Sequence, residues 1–233
     1  MTDEIFPKAE CDVFEAMLRR HSVRAFLPAP VERPVIEQIL TLAAKAPSGS
    51  NTQPWQVWVA GGDVLKRLKE RLVAAFHKND PAEKGEFRYY PEEWCEPYIS
   101  RRRSSGLALY RLLGIAKTDT EAMKRHLARN FEFFGAPTVV IVTIDQRMGQ
   151  GMWLDIGGFA QSIMLAAQGF GLASCQQQSI AQFHRIIREE LGIPADMRIC
   201  CSIGLGHEDR DALINKHIPE RAPLSEFVTF RED

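Results

Sequence analysis

The run DIGGFAQSIMLAAQGFGL, residues 155–172, constrains the fold more than any other part of the chain. It reads as a helix that is apolar nearly all the way round. Such a helix cannot sit on a surface, so it must be central and buried on several sides. Gly169 and Gly171 are natural stop signals for it. Two runs must then lie nearby. TVVIVTID (138–145) is continuously β-branched, and MRICCSIGLG (197–206) is nearly as apolar; both read as strands buried on two faces.

Around this centre the periodicity is helical. In CDVFEAMLRRH, Val13, Phe14, Met17 and Leu18 share one face, Glu15, Arg19 and Arg20 the other, and Asp12 is placed to cap. RPVIEQILTLAAKA repeats the pattern, with Pro34 in the first turn and Val35, Ile36, Ile39, Leu40 and Ala43 as its stripe. PWQVWVAGG reads as a strand, then DVLKRLKERLVAAFH, TDTEAMKRHLARNFEFFGAP and AQFHRIIREELGIP as helices, with ASCQQQSIAQ as a turn. No linker or repeat divides the chain. This order predicts one α+β domain over residues 1–233, with helices against a mixed central sheet. Residues 79–104 have no clean period and form an irregular insert, either a functional lid or a variable surface loop. The terminal FVTF has no partner strand within this plan and is expected to reach another subunit.

Several chemistries are excluded. The formal charge of −1 gives no field for nucleic acid or an anionic membrane. The SRRRSS cluster is offset by neighbouring acids and reads as a solvated face. Five cysteines without a CxxC argue against a metal or disulfide framework and for a reducing compartment. The N-terminus MTDEIFPKAE lacks an apolar core, so no secretory signal is read there. No window approaches the ~18 apolar residues of a membrane span; the expected location is cytoplasmic. There is no P-loop, no HExxH and no GxSxG, and the six histidines lack ligand spacing. GLGHED lacks the third glycine of a dinucleotide fingerprint. Cys175, Cys200 and Cys201 lie in apolar runs, where thiols are packing groups.

Two polar stretches remain. RRHSVRAF (19–26) sets three arginines and a histidine around one serine at a helix end, and APSGSNTQPW (46–55) follows one helix later. Arg20 and Arg24, with Ser22 between them, suit a dianionic phosphate, which arginine holds through paired N–H donors. A solvated C-terminal helix end is the alternative, since cations favour that end.

The combination resembles the FMN-dependent nitroreductase family. RRHSVRAF and APSGSNTQPWQVWV resemble its opening, FFGAPTVVIVTID its central strand, WLDIGGFAQSIMLAAQGFGLASC its dimer helix, and LGIPADMRICCSIGLG and ERAPLSEFVTF its closing segments. The insert YYPEEWCEPYISRR is similar to that of the nitrobenzoate reductase-like subgroup. The resemblance implies a homodimer with two FMN sites at the subunit interface. By position, Arg20, His21, Ser22 and Arg24 contact the phosphate, ribityl chain or ring edge, and Arg221 adds a second guanidinium for the phosphate. Pro47, Ser48, Gly49 and Asn51, with Gln53 nearby, approach the partner's flavin. Gln178, flanked by Gln177 and Ser179, offers a backbone N–H to flavin N5, although many relatives have proline where Gln176 stands. His207 stands where an aromatic is common.

The implied reaction moves two electrons from NADH or NADPH through the flavin to a nitroaromatic, quinone or similar flat acceptor, by a ping-pong mechanism. Arg24 would stabilise reduced flavin near N1 and C2=O, and no side chain acts as a nucleophile. Phe87, Tyr89, Tyr90 and Trp94 would roof the channel, with Arg101 to Arg103 favouring carboxylated substrates. Alternatives are another reductive flavoenzyme on the same scaffold (a dehalogenase, an enoate reductase, a flavin-fragmenting enzyme), a flavin-binding protein without turnover, or a flavin-free module.

Overall fold

A computed structural model describes residues 6, 8–80 and 82–232. Most of the acidic N-terminal stretch read for targeting, residues 1–5 and 7, lies outside them. Seven α-helices and four strands follow in chain order: α1 Val13–Arg19, α2 Arg33–Ala43, β1 Trp55–Gly61, α3 Gly62–Lys78, α4 Tyr98–Leu112, α5 Thr120–Ala128, β2 Thr138–Asp145, α6 Met152–Gly169, β3 Ala173–Gln177, α7 His184–Leu191 and β4 Met197–Gly206. Asp12 caps α1, its Oδ1 accepting from the Glu15 N–H at 2.9 Å.

The strands form one sheet in the order β1-β2-β4-β3. Every ladder is antiparallel, which corrects the mixed sheet expected from the sequence; parallel pairing is confined to one isolated bridge, Ser22 to Ser174. The alternation of β2 builds a three-layer molecule. Val139 and Ile141 face a core completed by Leu65, Leu68 and Leu72 of α3 and Ile187 of α7. Val140, Val142 and Ile144 face the opposite core with Ile39 of α2 and Phe159 and Ile163 of α6. Full burial of side chains such as Ile141, Phe159 and Ile163 contributes about 1.5–3 kcal/mol each. The register slips between Val142 and Thr143, which pair with Cys201 and Ile199. This bulge lets the consecutive Cys200 and Cys201 both face the α6 side.

The glycines of SIGLG serve packing. A Cβ at Gly204 would lie 2.9 Å from that of Ala136, and one at Gly206 would lie 2.6 Å from Pro137 Cδ. They admit the turn 133–137 onto β4. In that turn Phe133 and Phe134 both adopt positive φ, 50° and 56°.

Three expectations are corrected. ASCQQ is an edge strand, β3, rather than a turn. The irregular insert ends at residue 97, because Tyr98 opens α4 and carries Arg101 to Arg103 into a helix. The helix at 152–169 is not buried all round: Ile156, Phe159, Ala160, Ile163 and Met164 are covered, but Leu154 is 82% exposed. The apolar stripe of α1 is likewise open, with Phe14 74% and Leu18 86% exposed. Among the described residues no helix is long and apolar enough to cross a membrane.

Candidate functional site

After α1 the chain runs extended along the edge of β3. The Val23 N–H donates to Ser174 O at 3.1 Å, and the Leu27 N–H donates to His207 O at 2.9 Å. Extended backbone sends alternate side chains to opposite sides. Arg24 faces a cavity of about 760 Å³, while His21 and Val23 face a separate cavity of about 710 Å³. There His21 Nε2 lies 3.2 Å from Glu208 Oε1. The structure therefore does not bring His21 to Arg24.

Basic groups gather at and beside the larger cavity, which Arg24 and Lys84 line. Arg24 Nη1 donates to Ser22 O at 3.2 Å, and its guanidinium lies 6.0 Å from the Phe134 ring centre. Arg20 has its pKa lowered by burial and then by the nearby charge of Arg221, so these two guanidiniums approach one another across a long stretch of sequence. Arg221 Nη1 is held by the Pro219 carbonyl at 2.8 Å. Among the described residues no carboxylate lies within 4 Å of Arg20, Arg24 or Arg221. Like charges that converge without a counterion cost free energy, and an anion placed between them recovers it. Cys175 lines the same cavity; burial pushes its thiol up to about 11 against the opposing pull of Arg24 and Arg20. Burial also pushes Cys201 to about 12, so neither is a thiolate at neutral pH.

Sequence reasoning missed the residue that aims Arg24. Asn215 is 4% exposed and fully bonded. Its Oδ1 accepts from the N–H groups of Arg24 (2.7 Å) and Ala25 (3.1 Å), and its Nδ2 donates to the carbonyls of Ala25 and Asp209, both at 2.8 Å. A lone asparagine in a loop carries no periodic signal. The neighbouring His217 is buried, and its pKa is lowered by burial and then by Arg24.

β3 and the turn after it supply another wall. Gln177 is buried; its Nε2 donates to Asn130 O at 2.9 Å, and its Oε1 has no partner. Gln178 and Ser179 also line the cavity. The insert forms the remaining wall through Phe87, Tyr89 and Tyr90. Glu86 fastens it to the body, accepting from Arg188 Nη2 at 2.8 Å and from the Ile199 N–H at 3.4 Å. Trp94 stays outside the wall, its ring tilted against that of Tyr90 with centres 5.3 Å apart. Arg101 and Arg102 are engaged elsewhere: Arg101 Nη2 donates to Glu226 at 2.6 Å, and Arg102 lies over the rings of Tyr90 and Trp94.

The 46–53 turn lies apart from this cavity. Pro47, Gly49, Asn51 and Gln53 are exposed and Ser48 is half-buried. Ser48 Oγ accepts from the Gln53 N–H at 3.0 Å, and the Gly49 N–H donates to Asp155 on α6 at 3.3 Å. Asn51 and Gln53 hold positive φ, 57° and 48°. The turn is thus pre-shaped at the end of α2 and tied to α6, and none of its residues lines the cavity of Arg24.

Comparison with known proteins settles the ancestry of this arrangement. The model of the nitroreductase family matches residues 17–207, most of the chain. The protein belongs to the nitroreductase family. It is similar to a 4-nitrobenzoate reductase from Nocardioides sp. (strain LMS-CY), 37% identical over 226 residues that cover 95% of this chain and 91% of that enzyme. A 4-nitrobenzoate reductase from Pseudomonas putida is 38% identical over 94% of this chain and 96% of its own. Among solved structures, an FMN and NADPH-dependent nitroreductase from Sphigopyxis sp. strain HMH superposes with a TM-score of 0.91 at 35% identity, over 96% of this chain and all of that one. The family match ends before Arg221, so the place of that arginine rests on its approach to Arg20.

Proposed function

We propose that this nitroreductase-family protein is an FMN-dependent oxidoreductase that moves electrons from NADPH to a nitroaromatic acceptor and works as a homodimer. The observation that carries the reading is the gathering of Arg20, Arg24 and Arg221 at and beside one cavity, with no carboxylate among the described residues within 4 Å of any of the three guanidiniums. The residues present fit a flavin mononucleotide. Three guanidiniums match a dianionic phosphate and an electron-rich ring edge, and the unpartnered acceptors Gln177 Oε1 and Glu83 Oε2 line the same cavity. When bound, FMN would supply the hydride and electron chemistry that no side chain here can perform.

The chain's own residues do the rest. Arg20 and Arg221 hold the phosphate through forked N–H donors. Arg24, whose backbone N–H is held by Asn215, would supply positive charge to the ring edge of a bound flavin and would favour its reduced, anionic form. Phe87, Tyr89 and Tyr90 give a planar guest something to stack on and keep water out. One cavity serves donor and acceptor in turn, so the kinetics are ping-pong.

The dimer is supported by what a single chain leaves open. Large apolar side chains of α1 (Phe14, Leu18) and α6 (Leu154), with Phe227 (66% exposed) and Phe230 (70%), lie open in a single chain and suit cover by a second copy. A second copy covering them brings its 46–53 turn, with Ser48, Gly49, Asn51 and Gln53, toward the neighbouring arginine cluster. Free cysteines, three of them buried, suit a reducing cytoplasmic location.

The test is anaerobic. NADPH bleaches the yellow protein, and 4-nitrobenzoate or nitrobenzene restores the colour. A flavin that stays oxidised with both NADPH and NADH, or that stays reduced with every nitro compound, rejects the proposal.

A further inference from the structure

Arg198 stands second in β4, where every other residue is buried. A cation in such a strand requires a partner. Arg198 has none: its Nε is buried without an acceptor, and among the described residues no carboxylate lies within 4 Å. The nearby arginines differ. Arg147 is paired with Asp145, Arg188 with Glu86 and Arg88 with Glu92.

The side chain lines a small cavity of about 390 Å³ with Phe87, Tyr89, Gln150, Trp153, Gln178 and Arg88, whose guanidinium is taken up by Glu92. Phe87 and Trp153 meet edge to face there, their ring centres 4.7 Å apart. Phe87, Tyr89 and Gln178 also line the larger cavity, so the two spaces adjoin. The larger has aromatic walls for a ring; the smaller has one unpaired guanidinium and two amide side chains for an anion. At about 390 Å³ it lies at the small end of ligand pockets, too small for a dinucleotide and suited to the acid end of a small aromatic.

We infer that Arg198 is the specificity residue for acidic acceptors, gripping the carboxylate of a nitroaromatic acid whose ring occupies the adjoining cavity. This rests on the nitroaromatic reading above. It also relocates the carboxylate-binding role from the 101–103 cluster, where Arg101 is tied to Glu226 and Arg102 to aromatic faces. A guanidinium fork on a carboxylate in a partly desolvated site gives about 10- to 100-fold preference.

The FMN-loaded enzyme is assayed with 4-nitrobenzoate and nitrobenzene. In Arg198→Gln the ratio of their kcat/KM values falls about 10- to 100-fold, chiefly through KM for the acid; Arg198→Lys, which keeps charge but loses the fork, falls less. An unchanged ratio overturns the inference. So does a loss in Arg102→Gln with none in Arg198→Gln, or a tenfold rise in the NADPH KM with the ratio unchanged, which would give the cation to a nucleotide phosphate. Equilibrium titration of the wild-type protein with benzoate and benzamide needs neither folding of a variant nor turnover. Benzoate should bind at least tenfold more tightly, and equal binding overturns the inference. If the wild type reduces neither nitro compound yet prefers benzoate, and Arg198→Gln loses that preference, the functional reading fails and the carboxylate site stands.

Discussion

Replacing Asn215 with alanine removes four hydrogen bonds at one point. The two carbonyls it leaves behind retain some capacity elsewhere. The two backbone N–H groups of Arg24 and Ala25 are the expensive loss, because Ala25 is buried and water has little room to replace Oδ1. Each orphaned buried donor costs about 1–3 kcal/mol. Water entering from the Arg24 side recovers part of the sum, so we expect a loss of about 2–4 kcal/mol. In a domain of this size that lowers the melting temperature by roughly 5–15 °C. The consequence for function is separable from stability. Asn215 sets the path of residues 24–25, so its loss should weaken FMN binding through Arg24. In a double-mutant cycle, Asn215→Ala and Arg24→Gln should be strongly non-additive in FMN affinity, since each removes the same placed guanidinium. Urea denaturation and FMN titration of the two single variants and the double variant measure both quantities. A destabilisation below about 1 kcal/mol, together with additive losses of FMN affinity, would refute the positioning role.

Two further outcomes follow from the same geometry. His217 has a folded pKa below its ordinary 6.5, so the unfolded chain takes up its proton first and stability falls as pH drops below about 6.5; His217→Gln should flatten that limb between pH 7 and 5 in denaturant titrations, and an unaltered limb counts against the assignment. Leu18→Glu, on the open face of α1, should yield a folded monomer by sedimentation and lose most nitroreductase activity, because each cavity then lacks the partner's 46–53 turn; a fully active monomer would contradict the interface site.

The sequence announced some parts of this molecule clearly. β2 and β4 were legible because uninterrupted β-branched and apolar runs have few other uses. α2 and α3 followed from a 3.6-residue stripe. β3 was hidden because three consecutive glutamines look like a turn, although edge strands tolerate polar residues. α4 was hidden because its first half holds the polar run SRRRSS and its leucines, Leu107, Leu109 and Leu112, come only toward its end, and none of its residues is buried within one chain. The open faces of α1 and α6 show why periodicity misled about burial: an apolar stripe marks a face and does not say what covers it. At the site, the arginines were visible as a cluster, but the opposite facing of His21 emerges only once the segment is known to be extended. Arg198 did leave a signal, a charge inside the apolar run MRICCSIGLG, and Asn215 left none.

The central claim is that Arg20 and Arg221 form a cradle for a flavin phosphate. Its most direct test compares binding of FMN with that of riboflavin, which lacks the phosphate. Two charge-assisted hydrogen-bonding groups are worth about 3–6 kcal/mol together, so wild-type protein should bind FMN at least about 100-fold more tightly. The preference should collapse when Arg20 and Arg221 are both changed to glutamine. Equal affinity for the two flavins, or a preference that survives the double substitution, would contradict it.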